Sequence, residues 1–354
     1  MNKELLYKFL NTVSVSGNED ANQENVLEYT KSFTDRQIID AVGNVISVIN
    51  EDAECKILLM GHIDEIGFRV TSVDSDGFVH VQKAGGVRAK LYIGAPMQII
   101  HEETVEGKTV RNKVNGVGCT SSDMLKKSDF SDSDLIIDIG AKNKEEALKH
   151  VSVGDSVCSD TEVRDLLDDN FTCRALDDKT GAFVIIEAAR LAKEKGAVNG
   201  IYANTVVGEE TSGRGAYFAG ANVKPTCAIA VDVTWASDCP GTNASDTGEV
   251  KLGKGPVLCF SGMTNKKMNA LLKEIAAEKN IPLQYEVAGG ETYTDGDTVL
   301  STGSGVPVAL VSIPLRYMHS SAEVGNYRDL EQCIELISEF ILRMKPDFDF
   351  RPFK

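Results

Sequence analysis

Residues 67–163 read as one short β-type run after another, while on either side helix-period and strand-period segments alternate. The runs are 68–73, 78–82, 91–100, 104–111, 135–139 and 151–158. They are separated by Asp76-Gly77, Gly85-Gly86, Glu106-Gly107 and Gly154-Asp155. Apolar runs cut by Gly and Asp pairs are the pattern of strands joined by tight turns. Only 144–150 reads as helix there, and 121–134 is a Ser-, Asp- and Lys-rich loop. A 354-residue chain exceeds one ordinary domain of ~100–200 residues. The expected division is a small inserted β domain, 67–163, within a larger domain built from 1–66 and 164–354.

The flanks carry a different texture. Leu5, Leu6, Phe9 and Leu10 recur at helical spacing, and Ser16-Gly17-Asn18-Glu19 has the form of a capping box before a helix through Val26, Leu27 and Tyr29. Strands are expected within 38–49 and at 56–60, 201–207, 227–231 and 308–313, and helices at 180–194, 266–279 and 330–344. Asp177 or Asp178 is placed to cap the first of these helices and Asp329 the last. Alternation of this kind predicts an α/β fold whose sheet is mixed but mostly parallel, with helices on both faces.

Composition removes several function classes. A formal net charge of −16 argues against nucleic acid and anionic membranes as partners. No stretch approaches the ~20 apolar residues of a membrane span. The N-terminal segment is amphipathic and unlike a signal peptide. Eight cysteines without a CxxC pair suit a reducing cytoplasm, and no cysteine-built zinc site is expected.

The chemistry gathers at strand ends, where open α/β sheets place their sites. The run 202–207 stops at Gly208-Glu209-Glu210, and 56–60 stops at Gly61-His62-Ile63-Asp64. Asp232 follows another strand, His319 follows the last, and Asp177 opens a helix. Each residue alone has an ordinary explanation as a solvated strand end or a cap. Together, two imidazoles and several carboxylates without thiols suit divalent ions such as Zn²⁺, Co²⁺ or Mn²⁺. The set is large enough for two ions, with one bridging carboxylate and a glutamate left over as a base.

These motifs resemble the co-catalytic di-metal aminopeptidases, a family that includes glutamyl and deblocking aminopeptidases and tetrahedral dodecameric particles. The resemblance runs over nearly the whole chain. It rests on Gly61-His62-Ile63-Asp64-Glu65-Ile66-Gly67, Arg174-Ala175-Leu176-Asp177-Asp178-Lys179, Glu209-Glu210 with Gly213-Arg214-Gly215-Ala216, Val231-Asp232-Val233-Thr234, Asp295-Gly296-Asp297 and Tyr317-Met318-His319-Ser320. It implies a zinc-peptidase-like fold, with His62 and Asp232 on one metal, Glu210 and His319 on the other, and Asp177 bridging. Glu209 is implied as general base, and Asp64 as the partner that orients His62. Two divalent ions per subunit are implied, Zn first, with Co or Mn as alternatives. The implied substrates are short peptides with a free N-terminus, and the implied assembly is a homo-oligomer, a dodecamer, joined through the β insertion.

Two departures stand out. Gly208 replaces the Gln usual in the family, an exchange expected to loosen its loop, and residues 112–134 match least. The Asp295-Gly296-Asp297 run lies by the substrate pocket in the resemblance, although a solvated turn explains the same residues. Two competing readings remain at this level. A two-carboxylate glycoside hydrolase has no task for His62 and His319, and the chain has one Trp for sugar stacking. A non-catalytic peptide-binding particle has no need of the complete ligand and base set.

Overall fold

The computed structural model describes residues 1–353. Its centre is an eight-stranded sheet in the order Arg36–Ile39, Val45–Ile49, Gly200–Val206, Lys56–His62, Cys227–Trp235, Val308–Leu315, Val257–Phe260, Gln284–Val287. The four middle members of the parallel block, from Gly200–Val206 to Val308–Leu315, run in one direction. Antiparallel pairs occur only at Arg36–Ile39, Val45–Ile49 and Val257–Phe260. Gly200–Val206 and Val308–Leu315 are buried along their whole length, as expected of strands covered on both faces.

Alternate residues of each strand enter different cores. Ile57 and Leu59 pack with Phe9, Phe183 and Ile337, beneath the helices Lys3–Asn11, Leu176–Glu194 and Tyr327–Arg343. Leu58 and Met60 face the other way, onto Ala219 and Val299 of Arg214–Val223 and Asp295–Leu300. The helix Leu176–Glu194 comes unusually close to the sheet. A Cβ on Gly61 would lie 2.5 Å from the carbonyl carbon of Gly181, so only glycine permits this approach. The approach brings the start of the helix beside His62, at the end of its strand.

Residues 67–159 form a closed barrel with the strand order Gly67–Val73, Val79–Ala84, Ile136–Asp138, Lys108–Cys119, Pro96–Val105, Ser156–Ser159. Phe68, Tyr92, Ile99 and Val157 fill it. The chain leaves the barrel through a three-stranded sheet of Arg164–Asp165, Asn170–Cys173 and Glu323–Asn326. That small sheet ties the barrel's exit to the segment following His319.

Several local expectations need correction. The run 104–111 is not one strand, because Glu106 and Gly107 both have positive φ and turn Pro96–Val105 back into Lys108–Cys119 as a hairpin. The run 91–100 begins as a 3-10 turn at Ala89–Tyr92, and pairing starts only at Pro96. No capping box forms at Ser16: Glu19 accepts from the Gly17 N–H, and the Ser16 hydroxyl bonds the Thr211 hydroxyl at 2.8 Å. Asn326, not Asp329, caps Tyr327–Arg343. Asp329 instead accepts the Gly253 and Gly255 N–H groups at 2.7 Å each. Asp177 caps nothing, whereas Asp178 accepts the Gly181 N–H at 3.0 Å.

Candidate metal centre

The carboxyl ends of the parallel strands converge on one cavity of about 1030 Å³. His62 ends its strand and pairs in register with Val206, three residues before Glu209. Asp232 stands in the next strand, and the loop after Val308–Leu315 carries His319. Asp177 and Asp178 have non-helical φ and ψ at the start of Leu176–Glu194, and the peptide between them is cis.

These side chains form two groups that share one member. His62, Asp177 and Asp232 offer ligand atoms within 4.8 Å of one another, and so do Asp177, Glu210 and His319. Asp177 divides its oxygens between them: Oδ1 lies 3.2 Å from His62 Nε2, and Oδ2 lies 3.1 Å from His319 Nε2. His319 Nε2 is 3.7 Å from Glu210 Oε1. Glu209 Oε2 lies 3.8 Å from His62 Nε2 and belongs to neither group. All five residues proposed from the sequence as ligands thus meet, and Glu209 stands beside them.

Bonds to main-chain groups, buried or partly buried, hold the set in place. Asp64 accepts the Glu209 and Glu210 N–H groups, at 3.1 and 3.2 Å. His62 Nδ1 lies 3.0 Å from the Asp64 carbonyl oxygen and 3.5 Å from its carboxylate. An Nδ1–H donating to that carbonyl leaves the Nε2 lone pair facing the centre. Asp178 accepts the His62 N–H at 3.1 Å. Glu323 accepts two N–H groups, Asp177 at 3.1 Å and His319 at 2.8 Å. Sequence reasoning missed Glu323. Its only signal was an acidic residue four positions after His319.

Gly208 is not in a conformation that ordinary side chains favour. Its φ is +67, and a Cβ there would lie 2.1 Å from Arg214 Nη1. Arg214 packs over the glycine and reaches the Ser212 hydroxyl and Glu19. The Asp295-Gly296-Asp297 run is not a solvated turn. Asp295 and Gly296 are buried, and Asp297 lines the cavity while accepting the Thr292 and Tyr293 N–H groups.

The electrostatics favour cations. Burial pushes Glu210 and Asp232 far above the usual carboxylate range, with the Asp177 charge adding to both. Burial likewise lifts Glu209 to about 7, against the pull of His62. Burial opposes ionisation of Asp177 too, but the imidazoles of His319 and His62 beside it outweigh burial and hold its pKa well below the ordinary value. Glu210 Oε1 is buried without a hydrogen-bond partner. Crowded acids with an unpartnered oxygen, two imidazoles and no thiolate make a donor set that fits divalent metal ions.

Comparison with known proteins agrees with this chemistry. Residues 43–336 match the model of the M42 glutamyl aminopeptidase family. A putative aminopeptidase of Acetivibrio thermocellus is 35% identical, covering 96% of this chain and 98% of that protein. A lysyl aminopeptidase of Pyrococcus furiosus is 32% identical over 99% of both chains. Among solved structures, the Pyrococcus horikoshii TET1 peptidase superposes with a TM-score of 0.83 at 29% identity, covering 97% of this chain and 99% of that one. That protein can assemble into a tetrahedron or a large octahedral shell.

Proposed function

The chain belongs to the M42 glutamyl aminopeptidase family, and from that membership we propose that it cleaves N-terminal residues from short peptides with two divalent ions and Glu209 as general base. That it is an aminopeptidase of a metal-dependent family follows from the membership. The mechanism rests on one observation: Asp177 turns one oxygen to each of two ligand groups.

His62 and Asp232 would hold one ion, Glu210 and His319 the other, and Asp177 both. When bound, the ions supply a Lewis acid for the scissile carbonyl and lower the pKa of the attacking water. Glu209 faces the same cavity without joining either ligand group. It takes the water's proton and returns it to the leaving amine. Asp64 keeps the Glu209 and Glu210 backbone fixed, and Glu323 does the same for Asp177 and His319. Zn²⁺ is the ion we favour, from the mixed imidazole and carboxylate donors.

Chelation to a metal-free state, verified by elemental analysis, is expected to abolish release of N-terminal residues, and Zn²⁺, Co²⁺ or Mn²⁺ to restore it. Full activity in the metal-free protein would overturn the reading. Peptides with a blocked α-amine are expected to resist cleavage, and internal fragments should not appear.

Assembly is proposed as a dodecamer joined through the barrel. The barrel contributes no residue to the two ligand groups and exposes Val105, Val110 and Val117 on its long hairpin. Light scattering at micromolar concentration is expected to give a mass many times the 38.3 kDa of one chain. A monomeric mass would exclude this role. We place the protein in the cytoplasm, a reading supported by eight free cysteines, six of them buried.

A further inference from the structure

The wall of the cavity beyond the metal centre carries a second feature, Glu286. It sits on Gln284–Val287 at the far edge of the sheet, yet its carboxylate reaches back towards the middle strands. Oε1 accepts the Ser312 hydroxyl at 2.7 Å, and Oε2 accepts the Thr234 hydroxyl. Ser312 pairs in register with Asp232, and Thr234 lies two residues beyond Asp232 on the same face. Two residues of strand span about 6.6 Å. The Glu286 carboxylate therefore lies roughly one long side chain away from the proposed metal ligand Asp232.

Glu286 is 9% exposed, and its partners are all neutral, the Ser312 and Thr234 hydroxyls and the Cys259 thiol. No lysine or arginine lines the cavity among the described residues. Arg88 lies over the Trp235 ring, 5.8 Å from its centroid, but is not part of the lining. Asp246, Glu291 and Asp297 add further negative charge to the wall. A buried carboxylate with neutral donors and no cation is electrostatically incomplete, and burial raises its pKa. Leu310, Val287 and Ala288 line the same space and offer an apolar bed for an aliphatic stem.

We propose that Glu286 receives the side chain of the substrate's N-terminal residue, and that this residue is basic, lysine or arginine. The proposal rests on the aminopeptidase reading above and names its substrate class. A lysine stem lies along the apolar wall and its ammonium pairs with Glu286. An N-terminal glutamate, in spite of the family's name, brings a second carboxylate to a wall with no cation to receive it. An apolar side chain covers Glu286 without compensating the loss of water.

The test compares Lys-, Arg-, Leu- and Glu-p-nitroanilide on the metal-loaded protein and on Glu286→Gln. The wild type is expected to favour Lys and Arg over Leu by about tenfold or more in kcat/KM, with Glu last. Glu286→Gln should lower the Lys/Leu ratio about tenfold, mostly through KM for the Lys substrate. A wild type that ranks Leu or Glu above Lys overturns the proposal, and this ranking needs no variant to fold. Equal loss on Lys and Leu in the variant overturns it as well, because it marks a structural role. Cleavage of none of the four substrates overturns this proposal together with the reading beneath it.

Discussion

Glu209→Gln is expected to keep both metal ions while losing about 10²–10⁴ in turnover, the usual range for general acid–base catalysis. The amide has the carboxylate's shape, but it cannot accept a proton. Glu209 lies 3.8 Å from His62 Nε2 and outside both ligand groups, so its loss should not release an ion. Glu210→Gln should behave differently. It replaces an anionic ligand with a weak neutral one in the group shared with Asp177 and His319. One ion should bind more weakly, with partial rescue of activity by excess divalent metal. Metal stoichiometry and turnover, measured together on the two variants, separate these roles. Loss of an ion from Glu209→Gln, with both retained in Glu210→Gln, would reverse them. Two fully active variants would show that the strand end at Val206 is not the site.

The second large effect is on stability, at Glu65. This residue lies fully buried between Lys179 and Arg174, which are themselves buried. Its Oε1 accepts from Lys179 Nζ at 2.6 Å, and its Oε2 is 3.5 Å from Arg174 Nη1. The two cations also donate to main-chain carbonyls, Lys179 to Thr12 and Arg174 to Leu10 and Asn11. Glu65→Gln leaves two positive charges buried with no anion between them. Breaking a buried pair in this way costs about 3–5 kcal/mol. At about 2–4 °C per kcal/mol for a large domain, the thermal midpoint should fall by roughly 6 °C or more. A shift below about 2 °C would mean that water or a neighbouring acid already compensates these cations. The cluster is tied to the site, because Arg174 and Lys179 flank Asp177 and Asp178 in the chain.

Glu65 shows what a sequence leaves open. It stands beside His62 and Asp64 in one short motif, but nothing local reveals that it turns away from the cavity. Its partners are fixed by the packing of Leu176–Glu194 against the sheet. Glu323 and Glu286 were hidden for the same reason. Each acts across strands that are neighbours only after pairing, Glu323 in a small sheet with Asn170–Cys173 and Glu286 at the end of the main one. Glu106-Gly107 carries a turn signal in the sequence, yet the β-type residues on both sides of it read as one run, 104–111, which the positive φ values split into two strands.

What the sequence determined by itself was the part written in local periodicity. Alternating helix and strand segments around a β-only stretch are legible because burial repeats every two residues in a strand and about every 3.6 in a helix. The gathering of His62, Glu209, Glu210, Asp232 and His319 at strand ends was legible too, since parallel strands bring their carboxyl ends to one edge. The tertiary structure alone decided which atoms meet. The two oxygens of Asp177 point at different histidines because Gly61 lets the helix start press against the strand carrying His62, while Glu323 fixes the loop carrying His319. Such contacts depend on register and close approach between segments more than a hundred residues apart, and no local pattern in the chain encodes them.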